Sequence, residues 1–126
     1  MSPEGAGSRV SDYLSHILEA ARLARTYIEG MVKADFLVDR RTQQAVILNL
    51  ITIGEAAARV VNEYADFADA HPEVPWAQMR GMRNRMAHGY FDINLDTVWD
   101  TVQMSLPDLE EKLRKIVTPQ GADRGV

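Results

Sequence analysis

The sequence predicts an all-α fold, an antiparallel bundle of four to five helices. Apolar residues recur every three to four positions along most of the chain, and strand-like alternation is absent. Chain-breaking residues gather at Gly30, at His71–Pro75 and at Gly89, between the periodic stretches. With 126 residues, the chain suits one domain with a substantial core.

The first helix follows Val10, Leu14, Ile17, Ala21, Ala24, Ile28 and Met31, a single apolar stripe about twenty residues long. Ser8 or Ser11 can cap its start, and Gly30 can close it in a left-handed conformation. The second helix is expected to begin near Asp35 or Asp39 and to run to about Tyr64. Val46, Leu50, Ile53, Ala57, Val60, Val61 and Tyr64 form one stripe. Ile47, Ile51 and Ala58 form another, interrupted by Gly54. Asn49, Thr52, Glu55 and Arg59 are its strongly polar residues, and they share a sector of roughly 120°. So wide an apolar surface predicts burial on two sides. In a protein this small the second side is expected to meet another copy, which makes a homodimer. Glu55 and Arg59 have the spacing of an exposed i,i+4 ion pair. Alternatively, a cleft on that side would let Glu55 orient a catalytic group.

Pro75 suits the first turn of a third helix, Trp76 to about His88, which Gly89 terminates. Asn94 caps a fourth. Its apolar positions Leu95, Val98, Val102, Leu106, Leu109, Leu113 and Ile116 stay in phase across Pro107, which implies a kinked helix rather than two separate ones. The domain is therefore drawn at 9–117, with residues 1–8 as a flexible N-terminus and 118–126 as a flexible C-terminal tail.

Composition narrows the chemistry. There is no cysteine, so disulfides, thiolate metal sites and a cysteine nucleophile are excluded. A net charge of −4 and a pI near 5.3 oppose bulk attraction to nucleic acid, so any such contact needs a local basic patch. The N-terminal residues lack the apolar core of a signal peptide, and no uninterrupted apolar run approaches the ~18 residues that span a bilayer. The expected location is the cytoplasm, with no membrane partner.

The basic patch is Arg80-Gly81-Met82-Arg83-Asn84-Arg85-Met86-Ala87-His88-Gly89-Tyr90. It holds three arginines, one histidine and no acid. Arginine offers a permanent forked charge for phosphate oxygens, and histidine moves a proton near neutral pH. Arg83 five residues before His88 suits phosphodiester chemistry. On a helical wheel measured from Arg80, Arg83 falls at about −60°, Asn84 at +40° and His88 at +80°. Met79, Met82 and Met86 fall between about −100° and −160°, the core-facing side. Arg83 and His88 are thus about 140° apart, too far for one ideal helix to bring both onto one phosphate. Either the last turn unwinds at Gly89, or a second copy of the helix completes the site. His16 and His71 have no partner at ligand spacing and are assigned no role. A solvated basic face with no catalytic part is the plainer reading of the same residues.

Arg83-Asn84-Arg85-Met86-Ala87-His88-Gly89-Tyr90 resembles the Arg-x4-His-x-Tyr signature of the HEPN superfamily, in its HepT-like toxin branch. Ile53-Gly54-Glu55-Ala56, Pro75-Trp76, Val98-Trp99 and Leu106-Pro107-Asp108-Leu109 look like that family too, so the likeness covers roughly residues 10–117. Met86 stands where Leu or Ile is more usual, a volume-conserving change. The resemblance implies a HEPN-like helical bundle working as a homodimer, its two motif helices forming one cleft. It implies a metal-independent endoribonuclease without a cofactor, the toxin of a type VII-like toxin–antitoxin pair. Its implied partners are RNA and a minimal nucleotidyltransferase antitoxin that adenylylates the signature tyrosine, Tyr90 here. Arg83 and His88 are the implied catalytic residues, with Asn84, Arg80, Arg85 and Glu55 supporting them or binding RNA. The alternative is a non-catalytic subunit that binds nucleotides or RNA, or serves as the docking platform for the transferase.

Overall fold

Asp39 starts the central helix of the fold. Its carboxylate accepts hydrogen bonds from the Thr42 backbone N–H at 3.1 Å and the Thr42 hydroxyl at 2.8 Å. Asp35, the other candidate start, lies in the first turn of a separate five-residue helix and accepts from the N–H of its N-cap, Val32, at 3.3 Å. The computed structural model describes residues 5–117. It contains α1 (Gly5–Tyr27), α2 (Lys33–Leu37), α3 (Arg40–Glu63), α4 (Ala65–Ala70), α5 (Trp76–His88), α6 (Leu95–Asp100) and α7 (Leu106–Val117). No strand occurs among the described residues, and the all-α expectation holds. The bundle is built from α1, α3, α5 and a rod formed by α6 and α7, with α2 and α4 as short connectors. Helix α1 begins at Gly5, so Ser8 and Ser11 lie inside it instead of capping it. Gly30 closes the following turn at φ +83°, as expected. Residues 1–4 and the expected tail at 118–126 lie outside the described residues.

Val46, Leu50, Ile53, Ala57 and Val60 of α3 are fully buried, and Ile47, Ala56 and Ala58 nearly so. One side of α3 packs on α1 and the other on α5. Both apolar sides are therefore covered within one chain. The wide apolar surface does not itself require a second copy. What α3 leaves exposed is a narrow strip through Gln44, Leu48, Thr52, Glu55 and Arg59. By length and composition α3 could cross a membrane, since its most apolar stretch averages a hydropathy of 1.4, but half of that stretch is buried inside the bundle.

The rod explains how one helix carries Pro107. Residues Thr101–Ser105 between α6 and α7 form a π-helical turn. The Leu106 N–H reaches back five residues to the Thr101 carbonyl. Proline cannot donate to the carbonyl four residues earlier and its ring crowds it, and the widened turn relieves both problems. Asn94 caps the rod as expected, its side-chain oxygen accepting from the Thr97 N–H at 3.2 Å. Arg25 of α1 meets Glu110 of α7 at 2.8 Å, and Arg114 meets the same carboxylate at 2.8 Å. Glu110 is only 2 % exposed, so its charge is matched where water hardly reaches it. This clasp fastens the rod to α1. Phe36 and Trp99, ring centroids 5.5 Å apart, tie α2 to α6. Helix α5 rests mainly on α3, and its other flank faces the rod across a groove.

Candidate active site

Helix α5 matches its expected limits, Trp76 to His88. The Trp76 indole N–H donates to the His71 carbonyl at 3.1 Å and pins the start. Met79, Met82 and Met86 are buried, as the methionine stripe implied. At the far end the Gly89 N–H closes on the Arg85 carbonyl at 2.8 Å. A Cβ at Gly89 would lie 2.9 Å from that oxygen. Glycine is required there for space, since φ is −112° and the backbone is not left-handed. The helix stays regular through His88. Unwinding of the last turn, one of the two expected ways to unite Arg83 with His88, does not occur.

Arg83 and His88 accordingly face different surroundings. Arg83 lies against α3, where its Nε sits 3.5 Å from Glu55 Oε1. That distance makes an ion pair, yet the buried Nε makes no hydrogen bond, which leaves a costly donor partly unmatched. The arginine side chain is 29 % exposed, so its guanidinium end reaches solvent. Gly54 permits this closeness. A Cβ on Gly54 would collide with the Arg83 Cβ and sit 2.6 Å from the Met79 carbonyl oxygen. Arg59 pairs with Glu63 at 3.1 Å, so the expected Glu55–Arg59 pair is replaced by Glu55–Arg83. Glu55 lies beside Arg83 and does not line the groove that holds His88.

His88 is exposed and lines the groove between α5 and the rod, about 590 Å³ in volume. Asn84 and Arg85 line it with His88, and Arg83 does not. Asp92, Asn94, Thr97 and Thr101 supply the opposite wall. Asn94 was legible only as a helix cap, and Asp92, Thr97 and Thr101 gave no signal in the sequence because their place depends on how the rod folds back. Arg80 is exposed two turns before His88. Tyr90, 45 % exposed, begins a 3-10 turn, and its hydroxyl accepts from the Gln44 side-chain amide at 3.3 Å. No cluster of three or more metal-ligating side chains occurs among the described residues.

A basic helix end facing a wall of hydroxyls, an amide and the single carboxylate of Asp92, with Arg83 on the neighbouring face, suits an anionic, hydrogen-bonding substrate. A family model described as "Ribonuclease HepT-like" matches residues 17–116, a span containing every one of these groups. The chain belongs to the HepT-like ribonuclease family. A HepT-like relative from Thermococcus cleftensis, named "Probable ribonuclease HepT", is 40% identical over 105 residues, covering 83% of this chain and 93% of its own. One from Caldanaerobacter subterraneus, named "Putative RNase TTE0752", is 32% identical over 83% of this chain and 91% of its own. A third, from Methanocaldococcus jannaschii and named "Putative RNase MJ0127", is 36% identical over 86% of this chain and 87% of its own. No solved structure matches the chain.

Proposed function

We propose that this HepT-like ribonuclease is a toxin that cuts RNA endonucleolytically without a metal ion, and that a nucleotidyltransferase antitoxin silences it. The observation that carries the cleavage reading is His88 in one groove with Asn84 and Arg85, directly after the turn that bears Arg83. RNA supplies its own nucleophile in the 2′-hydroxyl. One His88 ring takes the proton from that hydroxyl as the O2′–P bond forms. A second imidazole returns a proton to O5′ as the P–O5′ bond breaks. Arg83 stabilises the charge on the phosphorane, and Arg80 and Arg85 draw the backbone in. Products are a 2′,3′-cyclic phosphate and a 5′-hydroxyl.

Because Arg83 and His88 do not share a groove in one chain, the site is completed by a second copy. Leu48, 63 % exposed on the strip of α3 that also carries Glu55, supports an interface there. The antitoxin step adds an adenylyl group to the Tyr90 phenol oxygen, with pyrophosphate leaving from a nucleoside triphosphate. The 45 % exposure of Tyr90 supports the step. The separation of Arg83 from the His88 groove also favours a second reading, a non-catalytic RNA-binding or docking subunit for the transferase. Growth after induction of wild type, Arg83→Ala and His88→Ala, each with and without the transferase, separates the two. Toxicity of wild type alone, lost in both variants and relieved by the transferase, supports the toxin. Equal harmlessness of all three proteins contradicts it.

A further inference from the structure

Beyond the motif helix, a second cavity of about 330 Å³ adjoins the His88 groove, and Ile93 lines both. Arg40, Gln43 and Gln44 from the start of α3 form one wall, and Tyr90 and Phe91 form the other. Ile47 and Leu95 complete the lining, which includes no carboxylate. Phe91 is 96 % exposed and stands edge-on to Tyr90, centroids 5.8 Å apart at 81°. A neighbouring ring thus braces a bare aromatic face. Both amides are held in place as well, Gln44 by donating to the Tyr90 hydroxyl at 3.3 Å and Gln43 by donating to the Phe36 carbonyl at 2.9 Å. An open ring for stacking, amides carrying donors and acceptors for a base edge, and a guanidinium for a phosphate are together the chemistry that holds an unpaired nucleotide.

We infer that this cavity is a binding subsite for one unpaired nucleotide of the RNA, the neighbour of the phosphodiester at His88. Its base stacks on Phe91, and its phosphate lies toward Arg40. The inference rests on the RNA-cleaving reading and adds a substrate class to it. A base inside a duplex has no free face to offer, so the preferred substrates are single strands and loops.

The test uses the full chain and a short 2′-O-methyl RNA, which has no hydroxyl to attack, so that binding is read apart from cleavage. Fluorescence anisotropy follows binding while one abasic position is moved along the strand. Wild type should lose about tenfold in affinity at a single position. Phe91→Ala should lose about tenfold on the intact strand and nothing further when that position is abasic. A duplex of the same sequence should bind wild type and Phe91→Ala alike. Equal far-ultraviolet circular dichroism of the two proteins checks that the variant folds. The subsite is overturned if Phe91→Ala binds the intact strand as wild type does, if the abasic penalty persists in the variant, or if no strand binds. It is also overturned if Phe91→Ala keeps its RNA affinity but changes oligomeric state, which assigns the ring to an interface between copies. Tight, Phe91-dependent binding without cleavage of unmodified RNA retains the subsite and removes the ribonuclease mechanism.

Discussion

Gly54 of α3 lies directly against Arg83 of α5, leaving no room for a Cβ between the two helices. The residue proposed to meet the phosphorane is positioned by a missing side chain. Gly54→Ala should therefore destabilise the fold by about 1–3 kcal/mol, because the obstacle is backbone and Cβ rather than a flexible side-chain end. Cleavage by the folded fraction should also fall, by up to about 10²-fold, since the Arg83 turn must move. Urea denaturation and single-turnover cleavage check the two effects separately.

Gly81 provides the opposite case on the same helix. A Cβ there would meet only the Arg85 Nη1 end, at 3.4 Å. Gly81→Ala should raise stability by about 0.5–1 kcal/mol through helix propensity, with cleavage little changed. A loss of stability in the same urea measurement would show that the helix needs this glycine for another reason.

Much of this architecture was legible beforehand, for identifiable reasons. Asn94 was readable as a cap, and Asp39 as one of two candidate helix starts, because capping is a local hydrogen bond to a backbone N–H three residues on. The methionine stripe and both limits of α5 followed from periodicity and from Gly89. The neighbours of α3 were not legible. Periodicity shows that two sides are apolar, but α1 and α5 of the same chain cover them, which only the tertiary fold decides. The exchange of Glu55–Arg59 for Glu55–Arg83 has the same origin, because an i,i+4 rule does not see a helix from elsewhere in the chain. The wheel did place Arg83 and His88 apart, and a regular last turn keeps them apart.

The Glu110 clasp should matter to the fold and not to the chemistry. Glu110→Ala removes the carboxylate that Arg25 and Arg114 share, and should cost about 1–3 kcal/mol. The cost stays moderate because both arginines are part-exposed and water can reach them once the carboxylate is gone. Chemical denaturation should show the loss, while cleavage per folded molecule stays at the wild-type level. A variant as stable as wild type would mean that the clasp holds nothing.

The Asp39 cap gives the fold an acid-sensitive element. Hydrogen bonds from the Thr42 backbone N–H, then from its hydroxyl, hold the Asp39 carboxyl below its ordinary value. A lowered folded-state value means the stabilisation is complete above the unfolded value, near 3.9, and is lost as pH falls through the folded one. Asp39→Asn should therefore be less stable than wild type at neutral pH, with the gap narrowing below about pH 4. Thermal melts at both pH values check it, and a gap that does not change with pH would contradict the cap's titration.

In the proposed mechanism two copies pool one cleft, and both His88 rings are needed in it. Wild type and His88→Ala are mixed one to one, allowed to exchange subunits, and assayed for cleavage of a loop-containing RNA at fixed total protein. A shared cleft in a randomly exchanged two-fold dimer predicts about a quarter of the wild-type rate, because only dimers with two intact rings cut. A rate of about one half would mean that each chain works alone, and would contradict the account.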